Sequence, residues 1–399
     1  MVKDLDKKIK AYALKNALAY KGKANPSSVL AGLFKEGLDK KDVKKVMPKI
    51  QKVIKDIEKL SLEKQKKEFG KFQSTVSERE IREGLPELPD VKKSGVVMRN
   101  SPSPSGPLHI GHAIISGLSI NYVRKYGGRF ILRIEDTNPE NIDPKAYKLL
   151  EQDAKWLYPK TEIIIQSGRM KLYYEYAEKL IKKNSAYVCT CTGDDFREFA
   201  QEKKNCPCRK FNIKENQKRW KKMFTEFKPG EAVLRFKSSM QHKNPAMRDF
   251  PLARINETTH PRTKKKYRVW PLMNLAVTTD DIELKMTHII RGKDHKDNAE
   301  RQKMMYKVLG KKYPWTSFIG RIHLKGFELS STKMREGIKS GKYSGWDDSE
   351  LPTLVSLKKQ GYKPEAFLKF AEKISLGEND KIIEKKEYFT LLKAFNKNL

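Results

Sequence analysis

The 399-residue sequence predicts an α/β protein in which a parallel sheet of the nucleotide-binding kind is interrupted by an inserted domain and preceded by a helical one. Three observations predict it. The short apolar run Gly95-Val96-Val97-Met98-Arg99 leads through a Ser/Pro/Gly loop into a helical pattern from about Ala113 to Tyr126. A second strand run, Arg129 to Ile134, follows one helix later, the order of a right-handed parallel βαβ unit. Around residues 185 to 266 the pattern changes to a cysteine-bearing, lysine-rich region, before sheet-like runs return at Val269 to Val277 and Thr287 to Ile290.

Taken in order, residues 1–88 form a helical domain, with Leu5, Ile9, Tyr12 and Ala13, then Val53, Ile54, Ile57 and Leu60, at helical spacing. Between Met1 and Lys71 there are 20 lysines against 9 acids, which makes this domain basic without giving it a chemical motif. The Pro and Gly punctuation of Glu83 to Asp90 marks a linker. Residues 94–184 and 267–322 are the two halves of the sheet domain, 185–266 the insertion, and 323–399 a loop followed by a helical region; no internal repeat is present.

The 84 basic and 49 acidic side chains leave a surplus of 35, large enough to suit a polyanionic partner, nucleic acid first. A merely solvated lysine-rich surface accounts for the same number. No run approaches the roughly 18 apolar residues of a membrane span. The first residues mix acids with bases and lack a secretion signal's apolar stretch, so the expected location is cytoplasmic, with no membrane partner.

The segment Ser101-Pro102-Ser103-Pro104-Ser105-Gly106-Pro107-Leu108-His109-Ile110-Gly111-His112 stands between strand and helix, where backbone amides and the helix dipole favour a phosphate. It contains neither G-x-x-x-x-G-K-[ST] nor G-x-G-x-x-G, so other groups must supply donors. His109 and His112 lie on one side of the first turn and can donate to phosphate oxygens as charge builds up during loss of pyrophosphate, while Gly111 lets a nucleotide approach closely. An H-x-x-H pair by itself is more often structural or metal-related.

Arg99 to His112 resembles the loop R-x-x-P-x-P-[ST]-G-x-L-H-I-G-H of class I aminoacyl-tRNA synthetases, glutamyl/glutaminyl branch. The resemblance implies a Rossmann-like catalytic domain, an inserted domain that binds the tRNA acceptor end, and a C-terminal helical stem-contact region. It implies ATP contacts from Pro104, Gly106, His109, Gly111 and His112, with both histidines catalytic. Phe327 to Met334 is similar to the family's K-M-S-K-S loop in a degenerate form: Ser330 replaces the first lysine, Ser331 follows, Thr332 holds the serine position and Lys333 keeps the second lysine. These four also join the expected ATP site, Lys333 as a catalytic cation over the departing pyrophosphate.

Arg99 and Glu135 end neighbouring strands and can face one crevice, where an amino acid brings both charges; the alternative is an ion pair between the two. By the resemblance, Arg99 pairs with the substrate's side-chain carboxylate, as a bidentate guanidinium does. Glu135 receives its α-ammonium group. Thr287 to His295 is similar to T-H-x-x-R-G-x-[DE]-H, placing Arg291 and Asp294 near amino acid and ATP; Ser101 and Ser103 complete the glutamate set. Met273 stands where bacterial relatives often carry an aromatic residue. Ser103 replaces the acidic residue usual in archaeal and glutaminyl relatives, which favours glutamate over glutamine.

Cys189, Cys191, Cys206 and Cys208 form two C-x-C pairs with a 14-residue spacer, a pattern that supplies four tetrahedral ligands to a structural zinc; a reduced, metal-free cluster is the alternative. Basic residues Arg262 to Lys266 nearby suit phosphates.

Over nearly its whole length the chain resembles the archaeal type of glutamate–tRNA ligase. The implied reaction takes ATP, Mg2+ and L-glutamate to glutamyl-adenylate and then transfers glutamate to tRNA, with the choice between glutamate and glutamine tRNAs open. Family members continue into anticodon-binding β-barrels, whereas this sequence stops at Leu399; a truncated chain, half of a split enzyme with a separate anticodon-binding partner chain, or a protein indifferent to the anticodon fits that ending. The alternatives are a glutaminyl-tRNA ligase, glutamylation of a modified tRNA base, a small-molecule nucleotidyltransferase, and a non-catalytic RNA-binding paralogue.

Overall fold

The structure is a computed structural model that describes residues 4–76 and 84–398. Residues 1–3, 77–83 and 399, which belong to the expected helical domain, linker and C-terminal region, lie outside the described residues. The chain divides into two compact units, Met1–Glu83 and Gly84–Leu399.

In the first unit the periodic apolar residues fold into α1 (Leu5–Ala19), α2 (Pro26–Lys35), α3 (Val43–Glu58) and α4 (Leu62–Gly70). Ile9, Leu14, Leu33, Ile50 and Ile57 make its core. Asn25 caps α2 by accepting from Ser27 N, with Pro26 at the first helical position. Gln65 is buried, and its Nε2 donates to the carbonyls of Ile57 and Leu60 at 3.0 and 3.1 Å.

The second unit opens with β1 (Val96–Asn100), α5 (Ile110–Tyr126), β2 (Gly128–Ile134), α6 (Ala146–Leu157) and β3 (Glu162–Ile165), and the three strands pair in parallel in that order. Gly128 has φ 114° and sits so close to β1 that a Cβ there would lie 2.0 Å from Val96 O, so this crossing requires glycine. After α7 (Met170–Lys182) the insertion adds β4 (Ala186–Cys189), α8 (Gly193–Gln201), α9 (Ile213–Thr225), β5 (Val233–Phe236), β6 (Pro251–Ile255) and β7 (Val269–Pro271). These four strands form an antiparallel sheet in sequence order, and its core is separate from that of the parallel sheet.

The chain then returns through α10 (Met273–Glu283), β8 (His288–Gly292), α11 (Lys296–Val308) and β9 (Trp315–Ile319), the two strands again parallel. Thr287 N donates to Val97 O at 3.1 Å and lays β8 beside β1, so the strand order reverses between them. Such a switch opens a crevice at the carboxyl ends of the strands. β10 (Ile322–Lys325), α12 (Ser331–Lys339), α13 (Leu354–Lys359), α14 (Pro364–Ile374), β11 (Lys381–Glu384) and α15 (Lys385–Lys397) complete the unit. β10 and β11 pair in parallel, and α14 presses against α5 closely enough that a Cβ on Gly117 would lie 2.6 Å from Ala371 Cβ. Among the described residues no helix is long and apolar enough to cross a membrane.

One expected element is overturned. The run from Val269 to Val277 is not a strand of the parallel sheet: its first three residues are β7, antiparallel to β6, and residues 273–283 are helical. Every residue of α10 from Asn274 to Asp281 is buried, so the helix shows no polar face and its Val/Thr-rich sequence imitates a strand.

Candidate active site

His109 is the N-cap of α5, extended at φ −119°, and its position is fixed by reciprocal bonds. Its Nδ1 accepts from Gly111 N at 3.1 Å, while its own N donates to His112 Nδ1 at 3.3 Å. The ring centroids stand 3.9 Å apart. Burial, and next the neighbouring His112, push the His109 imidazole well below its ordinary range; burial pushes His112 down to about 4. Both rings are therefore neutral near pH 7. A neutral ring that accepts at Nδ1 carries its proton on Nε2. The pair thus presents two Nε2–H donors at a helix N-terminus, the arrangement an anion requires.

The loop beneath them is held from two sides. Asp153 on α6 accepts from Leu108 N at 2.9 Å, and burial pushes its carboxyl up to about 7. Ile110 N donates to Pro352 O at 3.0 Å and Leu354 N to Leu108 O at 2.8 Å, so the segment before α13 pairs with the histidine loop like a short strand. Trp346 covers Gly106, where a Cβ would come within 2.8 Å of its ring. Pro104 is buried, its carbonyl accepting from Asp143 N at 2.8 Å.

At the strand switch lies a crevice of 160 Å³ lined by Arg99, Asn100, Ser101, Glu135, Met273, Arg291 and His295 among others. It is well below the roughly 300–1,000 Å³ of sites for drug-sized ligands, and so of amino-acid size. Arg99 and Glu135 do not pair with each other. Arg99 Nε and Nη2 grip Asp281 at 2.7 and 3.0 Å, leaving Nη1 to Ser101 Oγ at 3.1 Å. Arg133 holds Asp281 at 2.5 Å and Glu135 at 2.9 Å. Asp280, with no exposed side-chain surface, accepts from Arg169 at 2.7 Å, Gln166 at 2.9 Å and Tyr173 at 2.9 Å. Burial would raise the Asp281 carboxyl, but Arg99 and Arg133 outweigh it and hold the group below the usual carboxylate range. In this network Arg99, Arg133 and Arg169 match Asp280, Asp281 and Glu135 one for one.

Arg291 stands outside that balance. It is 8% exposed, its Nη1 donates to Gln302 Oε1 at 3.0 Å and its buried Nε has no partner among the described residues. Burial first, and then Arg99, push its guanidinium down. Asp294, whose side chain is half exposed, and the exposed Ser103 do not line the crevice.

Ser330 caps α12, accepting from Lys333 N at 3.4 Å, so Ser331, Thr332 and Lys333 form its first turn. Lys333 is exposed, 3.6 Å from Glu328. Arg335, two residues further on, donates to Ser105 O and ties this helix to the histidine loop. Neither it nor the 352–354 strap carries a motif that marks it in the sequence.

The family model described as tRNA synthetases class I (E and Q), catalytic domain, matches residues 95–397. The chain belongs to this family. The glutamate–tRNA ligase of Methanocaldococcus jannaschii is 44% identical over 378 residues, 94% of this chain and 68% of that protein. That of Methanothermobacter marburgensis is 44% identical over 395 residues, 98% of this chain and 71% of that one. A crystal structure of glutamate–tRNA synthetase from Elizabethkingia anophelis shares the fold at TM-score 0.53 and 20% identity, covering 74% of this chain and 70% of that one.

In this class I synthetase the insertion carries the cysteines. Cys189 ends β4, Cys191 follows it, and Cys206 and Cys208 lie on the loop before α9. The four sulfurs lie within 4.8 Å of one another, with Cys206 Sγ 3.5 Å from both Cys189 and Cys191, and Cys191 3.9 Å from Cys208. A tetrahedron with metal–sulfur bonds of about 2.3 Å has edges of about 3.8 Å, so the donor set fits a four-coordinate soft cation.

Proposed function

We propose that this synthetase attaches glutamate to tRNA with ATP, through glutamyl-adenylate. The observation that carries it is the crevice beside the histidine pair: a balanced ionic wall plus one guanidinium, Arg291, which among the described residues has no carboxylate at ion-pair distance. Glutamate brings one more negative charge than glutamine and so fits the surplus, which counts against the glutamine reading. Glu135 is the acceptor for the substrate's α-ammonium group, and Arg99 and Ser101 line the same space.

Bound so that its α-carboxylate faces the phosphate loop, the amino acid attacks the α-phosphorus of ATP; the carboxylate oxygen–phosphorus bond forms as the bond to pyrophosphate breaks. The Nε2–H groups of His109 and His112 donate to the α-phosphate oxygens, where the charge grows. They do so as neutral groups, needing no proton transfer. Lys333, on an exposed turn, is free to swing onto the departing pyrophosphate, alongside Mg2+, which supplies charge neutralisation to the phosphates when bound. The ribose hydroxyl of the terminal adenosine of tRNA then attacks the acyl carbon, and the bond to AMP breaks as the ester forms, with no covalent enzyme intermediate. The antiparallel insertion, stiffened by zinc on Cys189, Cys191, Cys206 and Cys208, grips the acceptor end, and the region after β10 contacts the stem. The basic surplus suits that partner.

The test is ATP–pyrophosphate exchange with each amino acid in turn, with and without bulk tRNA. Exchange driven by glutamate is the expected result. Exchange driven by glutamine instead would move the substrate, and none under any condition would leave an RNA-binding protein.

A further inference from the structure

Among the described residues, Arg291 is the one arginine lining the crevice without a carboxylate at ion-pair distance. What holds it is Gln302, a wholly buried side chain on α11. An arginine only donates, so the amide oxygen of Gln302 must face it; the amide nitrogen then points at Asn274 on α10, whose Oδ1 is 3.4 Å away. Gln302 is therefore spanned between a cation and a neutral acceptor, and its orientation admits no reversal. A carboxylate of the same shape would have neutralised Arg291 inside the protein. The amide keeps the guanidinium in place and leaves its charge to the crevice.

We propose that Gln302 is a positioning residue that sets amino-acid specificity, fixing Arg291 through a neutral acceptor so that only an acidic side chain in the crevice completes its pairing. The proposal rests on the glutamate reading above and deepens it. A buried cation without a counter-ion at ion-pair distance is costly, and Arg99 nearby adds repulsion, while Asp281 and Glu135 attract it only from farther off. An incoming carboxylate relieves both, whereas an amide or an apolar side chain relieves neither. The acidic substrate is thus selected partly by what the neighbouring helix withholds.

The experiment compares wild type, Gln302→Glu and Gln302→Met in tRNA-supported ATP–pyrophosphate exchange with glutamate and with glutamine. Gln302→Glu changes one atom and supplies the missing counter-ion. It is expected to raise the KM for glutamate on the order of 10- to 100-fold, the effect of one added charge several ångströms from the substrate carboxylate at an effective dielectric of about 20. The preference for glutamate over glutamine should fall by a similar factor, with the KM for ATP unchanged. Gln302→Met, which removes the anchor without adding charge, should raise the KM for glutamate but leave glutamine no better a competitor. An unaltered glutamate-to-glutamine ratio in Gln302→Glu overturns the inference, as does a joint loss of kcat and of both KM values, which marks a structural role only. If wild type fails to use glutamate, the functional reading falls by itself. The charge rule is then read from ligand-induced melting shifts: acidic amino acids should stabilise wild type more than Gln302→Glu, and equal shifts refute it.

Discussion

Replacing Asp281 by Asn tests the ionic wall on which the crevice stands. The carboxylate is 2% exposed and takes three bonds, two from Arg99 at 2.7 and 3.0 Å and one from Arg133 at 2.5 Å. An amide has the same shape but one oxygen and no charge, so at least one guanidinium faces an N–H group and the network gains a net positive charge beside Arg291. Removing one partner of a buried pair costs about 3–5 kcal/mol, because the remaining charge is left uncompensated. At roughly 2 °C per kcal/mol for a unit of this size, the melting midpoint of Asp281→Asn should fall by about 5–10 °C. The difference has a definite pH dependence. The folded Asp281 carboxyl lies below its ordinary 3.8, so its contribution is complete above that value and is lost as pH falls through the lower folded one. Wild type and variant should therefore differ fully at pH 7 and converge in strong acid. Differential scanning calorimetry from strong acid to pH 8 reads both effects. A variant that melts with wild type at neutral pH would show that Arg99 and Arg133 do not depend on this carboxylate, and the charge count around the crevice would fail with it.

Further outcomes follow from the structure. Because burial keeps His109 and His112 neutral, the latter down to about 4, the pH profile of kcat should show no histidine limb between pH 5 and 8; a protonation step near 6.5 would refute the neutral-donor reading. In the same assay His112→Ala should lose on the order of 100- to 1,000-fold in kcat, with little change in the KM for ATP. Asp153, pushed up to about 7 by burial, costs stability as pH rises from its unfolded value of 3.8 through 7; Asp153→Asn should therefore gain stability relative to wild type over that span, and a constant difference between the two melting curves would contradict it. Metal analysis should find one zinc per chain, lost in Cys208→Ser, and chelation should lower the melting midpoint of the insertion and raise the KM for tRNA; a metal-free chain with unchanged tRNA charging would reject the cluster as a zinc site.

The parallel half of the fold was legible because its signals are local. Val96–Asn100 and Gly128–Ile134 are apolar runs bounded by glycine and proline, and the histidine loop sits between them in an unbroken stretch. Two kinds of feature escaped. The first is α10, where consecutive acids Asp280 and Asp281 lie inside a run of apolar residues and threonines; burial on every side erases the helical period, and the partners that make two buried carboxylates tolerable, Arg99, Arg133 and Arg169, come from distant elements. The adjacent acids in an otherwise apolar run were the available signal. The second is any contact made by backbone, such as Leu354 to Leu108, which has no side-chain signature at all. Gln302 belongs with these: a polar residue in a lysine-rich helix gives no sign that it faces inward.

The strap from Pro352 to Leu354 has a consequence for the order in which the protein is made. The histidine loop lies in the first third of the chain, yet its backbone is completed by hydrogen bonds to residues more than 240 positions later. Loop closure over such a separation waits for both ends to exist, and translation delivers the later end last. A nascent chain halted before Pro352 would already carry β1, α5 and both imidazoles, with the loop between them unseated. The backbone bonds that seat the histidine loop therefore form only after the strap has been made.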